Sequence, residues 1–214
     1  MNLSPGAQEV YHRIHDATKL GDIKKLAKEI KKDHELAMEL WSTAHLIARK
    51  LAVLIMDKKL LKQQLIDQLV LEMQVHTQEE QNGLMEWLMA NQLMKDKQAT
   101  LLINSWDKSP SALQRRTFWY YQARLRWTGQ APPNNTQELL DAIEVNMPTE
   151  DPIVQWAMNF TAGWIGVYDS TNRKRCIAIG IKTGLFKDEV IARGCTPNYL
   201  PAFIDTEVKK RAGK

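Results

Sequence analysis

The side chains with the most evident chemistry lie between positions 115 and 127, where the sequence reads RRTFWYYQARLRW. Four arginines and five aromatic rings occupy these thirteen positions, and no acidic residue occurs between Asp107 and Glu138. A guanidinium can contact phosphate through two hydrogen bonds and can stack on a ring face. The segment therefore has the composition of a surface for a polyanion that carries flat bases. A buried helix whose arginines end in solvent is the alternative interpretation.

Helical periodicity divides this segment into two stripes. At about 100° per residue, the apolar stripe that we expect to face the core consists of Phe118, Tyr121 and Leu125. The stripe that we expect to face outward interleaves cationic, aromatic and amide side chains: Arg115, Trp119, Gln122 and Arg126. Together with Arg116 and Arg124, this second stripe is predicted to contact duplex DNA, because phosphate contacts carry salt-dependent affinity.

A second candidate segment is MEWLMAN, residues 85–91. Trp87 and Asn91 are four positions apart, so they project from one face of a helix. The indole could stack on a base or a sugar while the amide forms a hydrogen bond to the same ligand. A core tryptophan beside an asparagine with satisfied hydrogen bonds is the alternative.

The third candidate segment is VQWAMNFTAGWIG, residues 154–166. Trp156 and Trp164 are eight positions apart, about 80° around a helix, and both are candidate contacts to nucleic acid. Asn159 and the two glycines of this segment lie close to one face. We expect the glycines to permit close packing of a neighbouring helix rather than close approach of a ligand.

Composition and hydropathy favour neither a membrane protein nor a secreted one. The chain has 214 residues, of which 44% are apolar and 25% charged, as in ordinary globular proteins. The longest apolar run, Leu51–Met56, is too short to span a bilayer, and the first twenty residues lack the layout of a signal peptide. We expect a cytoplasmic protein without a membrane partner. The net charge of +4 permits nucleic-acid binding without requiring it.

No cofactor and no metal are predicted. Cys176 and Cys195 have no CxxC partner, so we expect reduced structural thiols rather than a zinc site or a disulfide. The five histidines all lie in the first 76 residues, and none has the spacing of metal ligands. The GxSxG, P-loop and GxGxxG motifs do not occur in the sequence.

Helical periodicity extends through the chain, and strand alternation is almost absent. Helices are predicted near 7–19, 22–32, 35–57, 60–75, 79–95, 98–107, 110–127, 136–146, 150–167, 171–184 and 187–193. The longer second members of helical pairs begin near 35, 79, 110 and 150, a spacing typical of HEAT-type arrays. We therefore predict an all-α fold, a curved superhelical array of HEAT-like repeats that forms a single domain over residues 1–214. An irregular all-α bundle is the alternative.

Such an array would have a concave face lined by the same member of each helical pair. Three pairs of residues fall on corresponding members: Arg49 and Lys50, Arg115 and Arg116, and Gln155 and Trp156. They predict a basic inner surface that suits a rod-shaped ligand such as duplex DNA. We expect the protein to bind this ligand as a monomer.

The sequence resembles the AlkD-like DNA alkylation repair family, within the HEAT-like repeat DNA glycosylase superfamily, over roughly Asp16 to Ile204. The segments that carry the resemblance, in this order, are KDHELAMELW, AHLIARKLAVLIMD, EWLMAN, SWDKSPSALQRRTFWYYQ, VQWAMNFTAGWIG and GCTPNYLPAFI. The resemblance implies an all-α curved array that binds duplex DNA on its concave face. It also implies a glycosylase that excises cationic N3- or N7-alkylated purines.

The family's cleft is described as a Trp, a carboxylate four residues later, an Arg on a following repeat and a further Trp. By this resemblance Trp87 matches the first Trp, Arg115 or Arg116 matches the Arg, and Trp164 or Trp156 matches the second Trp. The carboxylate position falls on Asn91, which is a departure from the pattern. A neutral amide can orient water but supplies no charge to stabilise a cationic sugar, and losing one such contact costs on the order of 10²–10³ in rate.

Three functions follow as hypotheses. The first is a DNA alkylation repair protein that binds duplex DNA and has weak or altered glycosylase activity, with Asn91 at the catalytic position. The second is a non-catalytic protein that recognises branched, bent or damaged DNA by its shape and backbone charge. The third is a helical-repeat scaffold for protein partners, because a fold alone does not determine function.

Overall fold

The computed structural model describes residues 3–16, 18–128, 130 and 132–213, and within them the chain is all-helical, with no β-strand. The first seven α-helices are α1 Pro5–His12, α2 Leu20–Ile30, α3 His34–Ser42, α4 Leu46–Ile55, α5 Gln63–Glu72, α6 Gln78–Asn91 and α7 Lys97–Asn104. The remaining five are α8 Ala112–Trp127, α9 Thr136–Asn146, α10 Pro152–Tyr168, α11 Arg173–Thr183 and α12 Leu200–Ala212. The predicted all-α class is confirmed.

The chain divides into two compact units, Met1–Ser105 (unit 1) and Trp106–Lys214 (unit 2). In unit 1, α2 packs against α4 and α4 packs against α6, while α1 contacts α3. In unit 2, α8 packs against α10 and α10 packs against α12. Alternate helices therefore lie side by side within each unit, as in an array of helical pairs. The single domain over residues 1–214 stays a prediction.

Capping residues explain where two of the helices that carry candidate residues begin. Before α6, the Thr77 hydroxyl accepts a hydrogen bond from the Glu80 amide at 3.3 Å, and the Glu80 carboxylate accepts one from the Thr77 amide at 3.0 Å. This reciprocal pair satisfies two amides that the helix itself leaves without acceptors. Before α10, Asp151 accepts from the Ile153 amide, and Pro152 occupies the first turn. The two helices begin at Gln78 and Pro152, close to the predicted starts near 79 and 150.

The prediction of one helix over 35–57 is wrong, because the chain forms α3 and α4 with a turn at residues 43–45 between them. Ala44 has a φ of 57°, in the left-handed region, which reverses the chain there. The His45 ring then caps α4 by accepting a hydrogen bond from the Ala48 amide at 3.3 Å. Arg49 and Lys50 therefore lie near the start of a separate helix.

Two predictions near the C-terminus are also corrected. Residues 187–193 are not helical, since Val190 is 97% exposed and this segment buries no apolar face that would stabilise a helix. The helix that does form is α12, which the sequence interpretation missed. Pro201 resembles a helix breaker, but it lies in the first turn of α12, where its missing N–H is not needed.

The glycines of α10 let α12 approach closely. A Cβ added at Gly163 would lie 2.8 Å from the Phe203 ring, and one added at Gly166 would lie 2.5 Å from Cδ1 of Ile204. Real Cβ atoms do not approach their neighbours this closely, so only glycine fits at these positions without a shift of the Phe203 or Ile204 side chain. The predicted use of these glycines in helix packing is confirmed.

Candidate functional site

Helix α8 is buried on more sides than its periodicity predicts. The predicted core stripe is confirmed, because its three residues are buried: Phe118, Tyr121 and Leu125. The predicted outer stripe is wrong for three of its four residues, which are buried as well: Trp119, Gln122 and Arg126. Two contacts explain this burial: Asn135, just before α9, bonds to Gln122 and Arg126, and α8 is covered along its length by α10. The Thr161 hydroxyl of α10 donates a hydrogen bond to the Trp119 carbonyl at 2.7 Å.

Arg126 has a structural role and does not face outward, and its contact with DNA stays a prediction. Its side chain is buried, and Nη1 donates to the Gln122 carbonyl at 2.8 Å. Nη2 donates to Asn135 and Thr136 at the start of α9, at 3.2 and 3.3 Å. Burial lowers the pKa of Arg126. Through these hydrogen bonds, the Arg126 guanidinium links the end of α8 to the start of α9.

Arg115 has an acidic partner that lies 35 residues further along the chain. Its Nε and Nη2 donate to the two carboxylate oxygens of Glu150 at 2.8 and 3.1 Å, and Nη1 donates to the Ser109 carbonyl at 2.7 Å. The hydrogen bonds to Glu150 raise the pKa of Arg115. The two-pronged pair holds the start of α8 to the segment before α10, so Arg115 is not available as an unpaired cation.

Unit 2 contains a continuous cluster of aromatic rings, which we call the aromatic cluster. Its seven members come from α8, α10 and α12: Tyr120, Trp127, Trp156, Phe160, Trp164, Tyr168 and Phe203. Four of them recur at every fourth position of α10, which brings their side chains onto one face of that helix. The α8 and α12 members join this row from either side, so the cluster spans three helices.

The rings in the cluster meet in both stacked and edge-to-face geometries. Trp156 stacks on Phe160 with centroids 4.8 Å apart, and Tyr120 lies nearly parallel to Phe160 at 5.9 Å and 10°. Trp164 meets Phe203 edge to face at 5.4 Å and 90°. Such pairs each contribute about 0.5–1.5 kcal/mol beyond the burial of their area. Tyr120, Trp127, Trp156 and Phe160 remain part-exposed, whereas Trp164 is buried.

Three arginines lie against rings of the aromatic cluster. The guanidinium carbon of Arg116 is 5.1 Å from the Trp156 ring centroid and 5.4 Å from that of Tyr120. Arg124 lies 5.9 Å from the Trp127 centroid. Arg211 of α12 lies 4.8 Å from the Trp164 centroid, and its Nε donates to the Tyr168 hydroxyl at 3.1 Å. These distances are those of cation–π contacts.

The exposure of these arginines differs. Arg116 is 4% exposed, so it is packed into the cluster rather than extended into solvent. Arg124 remains part-exposed on α8. It is therefore the member of the Arg115–Arg126 group that is best placed to contact a ligand at the surface.

The sequence interpretation missed several members of the cluster: Tyr120, Phe160, Tyr168, Phe203 and Arg211. One signal was present, because Trp156, Phe160, Trp164 and Tyr168 follow one another at intervals of four residues. No signal along the chain linked α12 to this row, since its contacts with α10 form only in the folded unit.

Unit 1 has a different candidate surface, formed by Lys24, Lys50, Trp87 and Asn91, which we call the lysine surface. The Trp87 indole donates to the Lys50 carbonyl at 3.0 Å, and the Lys24 ammonium lies 5.7 Å from the Trp87 ring centroid. Lys24 is exposed, and the other three residues are part-exposed. Trp87 is therefore anchored to α4 while part of its ring remains accessible.

Arg49 does not contribute to the lysine surface. It is 3% exposed, its Nε donates to the Trp41 carbonyl at 3.0 Å, and its Nη1 donates to the Glu72 carbonyl at 2.7 Å. Burial lowers the pKa of Arg49. Its donors stabilise carbonyls at the ends of α3 and α5, and the contact of Arg49 with DNA stays a prediction.

Asn91 lies on the same face of α6 as Trp87, as the four-residue spacing predicts. Its Nδ2 donates to the Trp87 carbonyl at 2.9 Å, so the amide folds back onto its own helix. The nearby carboxylate of Asp96 caps α7 by accepting from the amides of Gln98 and Ala99 at 3.0 and 3.1 Å. Asp96 is thus committed to a structural role and does not replace a carboxylate at Asn91.

The described residues contain no cluster of three or more potential metal ligands among their histidines, cysteines and carboxylates. Cys176 and Cys195 are free, Cys176 buried and Cys195 exposed. Burial raises the pKa of the Cys176 thiol to about 12, so this thiol stays protonated at neutral pH. None of the described helices combines the length and apolarity that a membrane crossing requires.

Comparison with known proteins agrees with the helical pairs. A family model described as DNA alkylation repair enzyme matches residues 13–171. A search of curated proteins found no match. The matched range includes the lysine surface and most of the aromatic cluster, but it ends before α12.

The chain is also similar to a solved structure described as a new family of proteins related to the HEAT-like repeat DNA glycosylases with affinity for branched DNA structures. The TM-score is 0.66 at 18% sequence identity, over 98% of this chain and 89% of that chain. At this identity the similarity establishes the fold, and it confirms the predicted HEAT-like repeats. That Trp87 and Asn91 share a cleft with Arg115 or Arg116 and with Trp164 or Trp156 stays a prediction.

Proposed function

Because the chain belongs to the DNA alkylation repair enzyme family, we propose that it binds DNA and prefers branched or distorted duplexes. We further propose that it binds as a monomer and leaves the glycosidic bond intact. Its substrate-facing residues are then Arg124 and the part-exposed rings of unit 2, together with Lys24, Lys50 and Trp87 of unit 1.

The observation that carries DNA binding is the composition of the exposed edge of α8 and α10. On α8, Arg124 is part-exposed and no residue is acidic, and α10 contains no charged residue at all. Part-exposed rings, among them Trp127, lie near this positive charge. Such a surface attracts anionic partners and suits a ligand with phosphates and flat bases.

The absence of bond cleavage is proposed from Asn91. Where the family resemblance expects a carboxylate, this chain has an amide whose donor already serves the Trp87 carbonyl. A neutral group contributes little to the stability of a cationic transition state in a partly dry cleft. Asp96 caps α7 and does not compensate.

The preference for branched DNA is supported by the relative described as having affinity for such structures. A branch exposes unstacked bases and places phosphates from several strands close together. Closely spaced phosphates can then contact part-exposed or exposed cationic side chains such as Arg124 or Lys24.

The test is fluorescence anisotropy with a labelled four-way junction and a linear duplex of the same base composition, over a salt series. We expect tighter binding to the junction and a linear fall of log affinity with log salt, since phosphate contacts release counterions. Arg124→Gln and Lys24→Gln should each reduce the slope by roughly one. Lys62→Gln, which removes an exposed lysine immediately before α5, is the matched control and should leave the slope unchanged.

Two outcomes would contradict the proposal. Binding that does not change with salt would exclude phosphate contacts as its basis. A complete lack of DNA binding would favour the third hypothesis, a helical-repeat scaffold for protein partners.

A weak alkylpurine glycosylase is the second candidate function. It is favoured by Trp87, whose ring stays accessible beside the position of the expected carboxylate. A cationic N3- or N7-alkylpurine is already a good leaving group, so a cleft without a carboxylate could retain slow excision. Release of 7-methylguanine from duplex DNA would reveal this activity.

A further inference from the structure

Four rings of the aromatic cluster remain partly accessible to solvent. Tyr120 and Trp127 of α8 and Trp156 and Phe160 of α10 remain part-exposed, and we call them the ring surface. Beneath them, Trp164 and Phe203 are buried. If the rings served only to join α8 to α10, burial of all of them would give the largest stabilisation. The ring surface is therefore a candidate binding site.

Three of these rings share one orientation. Tyr120 and Phe160 are within 10° of parallel, Trp156 and Phe160 within 17°, and Tyr120 and Trp156 within 25°. The three centroids lie 4.8 to 6.2 Å apart. A planar heterocycle that adds to this stack would lie roughly parallel to all three rings, which is the geometry that aromatic stacking favours.

The positive charge around the ring surface favours a planar ligand that carries an anionic group. Arg116 lies beside Trp156 and Tyr120, and Arg124 lies beside Trp127. Neither α8 nor α10 contains an acidic residue. A flat ligand with an attached anion, such as a nucleotide, therefore meets both the stack and the positive charge. A purely apolar or a cationic partner would not use the arginines.

We propose that the ring surface is a stacking site for an unpaired nucleobase. The inference rests on the proposed DNA binding and adds the feature of DNA that is recognised. In duplex DNA the bases are paired and stacked on each other, so their faces are not available to protein rings. At a branch, a bulge or a strand end, a base can leave the duplex and stack on the protein instead.

The experiment compares three labelled duplexes by anisotropy: one fully paired, one with a single bulged adenine, and one with an abasic residue at the same bulge. The abasic DNA keeps the bend and the phosphates but lacks the base. We expect the adenine bulge to bind roughly tenfold more tightly than the abasic bulge, in the range that stacking of one base on protein rings provides.

Ring variants locate the effect. Phe160→Leu and Tyr120→Leu keep apolar volume but remove a stacking face, and each should reduce the tenfold difference to about twofold or less. Tyr11→Leu, a part-exposed tyrosine of α1 in unit 1, is the matched control and should preserve the difference. Affinity for the abasic bulge reports whether each variant is folded and still contacts the backbone. If one ring variant fails to fold, the other provides the test.

The outcomes separate the two proposals. Equal affinity for the adenine and abasic bulges, with salt-dependent binding of both, would overturn the stacking site and leave DNA binding intact. A difference that persists in both folded ring variants would place the base elsewhere and would also overturn the inference. No binding to any of the three duplexes would overturn the stacking site and the proposed function together.

Discussion

The lysine surface of unit 1 and the aromatic cluster of unit 2 use positive charge in different ways. On the lysine surface, Lys24 is exposed and lies near a single ring, that of Trp87. In the aromatic cluster, Arg116 and Arg211 lie against the rings they contact, and Arg211 also forms an ion pair with Glu207. An ammonium on a flexible stem acts as a mobile point charge, whereas a stacked guanidinium becomes part of the packing.

This difference changes how the arginines of α8 should be interpreted. Arg115 is paired with Glu150, Arg126 is buried against α9, and Arg116 is buried beside Trp156. Arg124 remains part-exposed. The number of arginines in a segment therefore overestimates the number that can contact phosphate. We expect salt-dependent affinity to come from Arg124 and the lysines, and stacking to come from the rings.

The largest expected effect contrasts the tryptophans of the two regions. Trp164→Ala should lower the free energy of unfolding by about 3–5 kcal/mol, because it removes a buried ring from the centre of the cluster. Trp87→Ala should cost only about 1–2 kcal/mol, since its ring is already part-exposed. Urea unfolding followed by circular dichroism measures both. Equal costs would contradict the distinction between a packed cluster and an open surface.

A smaller effect tests the close contact between α10 and α12 that supports the cluster. Gly166→Ala should lower the free energy of unfolding by about 1–3 kcal/mol, because the added Cβ meets Ile204. Gly83→Ala, within α6 and with open space around the new Cβ, should instead stabilise the protein by about 0.5–1 kcal/mol. The same unfolding experiment compares them. A neutral Gly166→Ala would show that α12 is not held against α10 as described.

Much of the fold can be predicted from the sequence because its determinants are local. The capping box at Thr77 and the Asp151–Pro152 start require only neighbouring residues, and α9 spans residues 136–146 as its periodicity predicts. The break at Ala44 was missed, since an alanine with a positive φ has no sequence signal and the apolar pattern continues across it. The range 187–193 has helical periodicity but no partner to bury its apolar face.

The candidate site was predicted less completely because its determinants are distant along the chain. The pairing of Arg115 with Glu150 joins residues 35 positions apart, and the contact of Arg211 with Tyr168 joins residues 43 apart. The outward face assigned to Trp119 and Arg126 assumed that α8 has one buried side. Helix α10 covers a second side. The four-residue spacing of Trp87 and Asn91 correctly predicted that they share one face of α6, and both residues are part-exposed there.

Base release from methylated DNA tests the central claim most directly. A duplex containing 7-methylguanine is saturated with protein, binding is verified by anisotropy, and free 7-methylguanine is followed under single-turnover conditions. We expect a stable, salt-dependent complex in which wild-type protein releases the base no faster than the spontaneous rate. Asn91→Asp should accelerate release by up to about 10²–10³ if the rest of the cleft is competent. Release by the wild-type protein well above the spontaneous rate would contradict the claim that the protein binds DNA and leaves its glycosidic bonds intact.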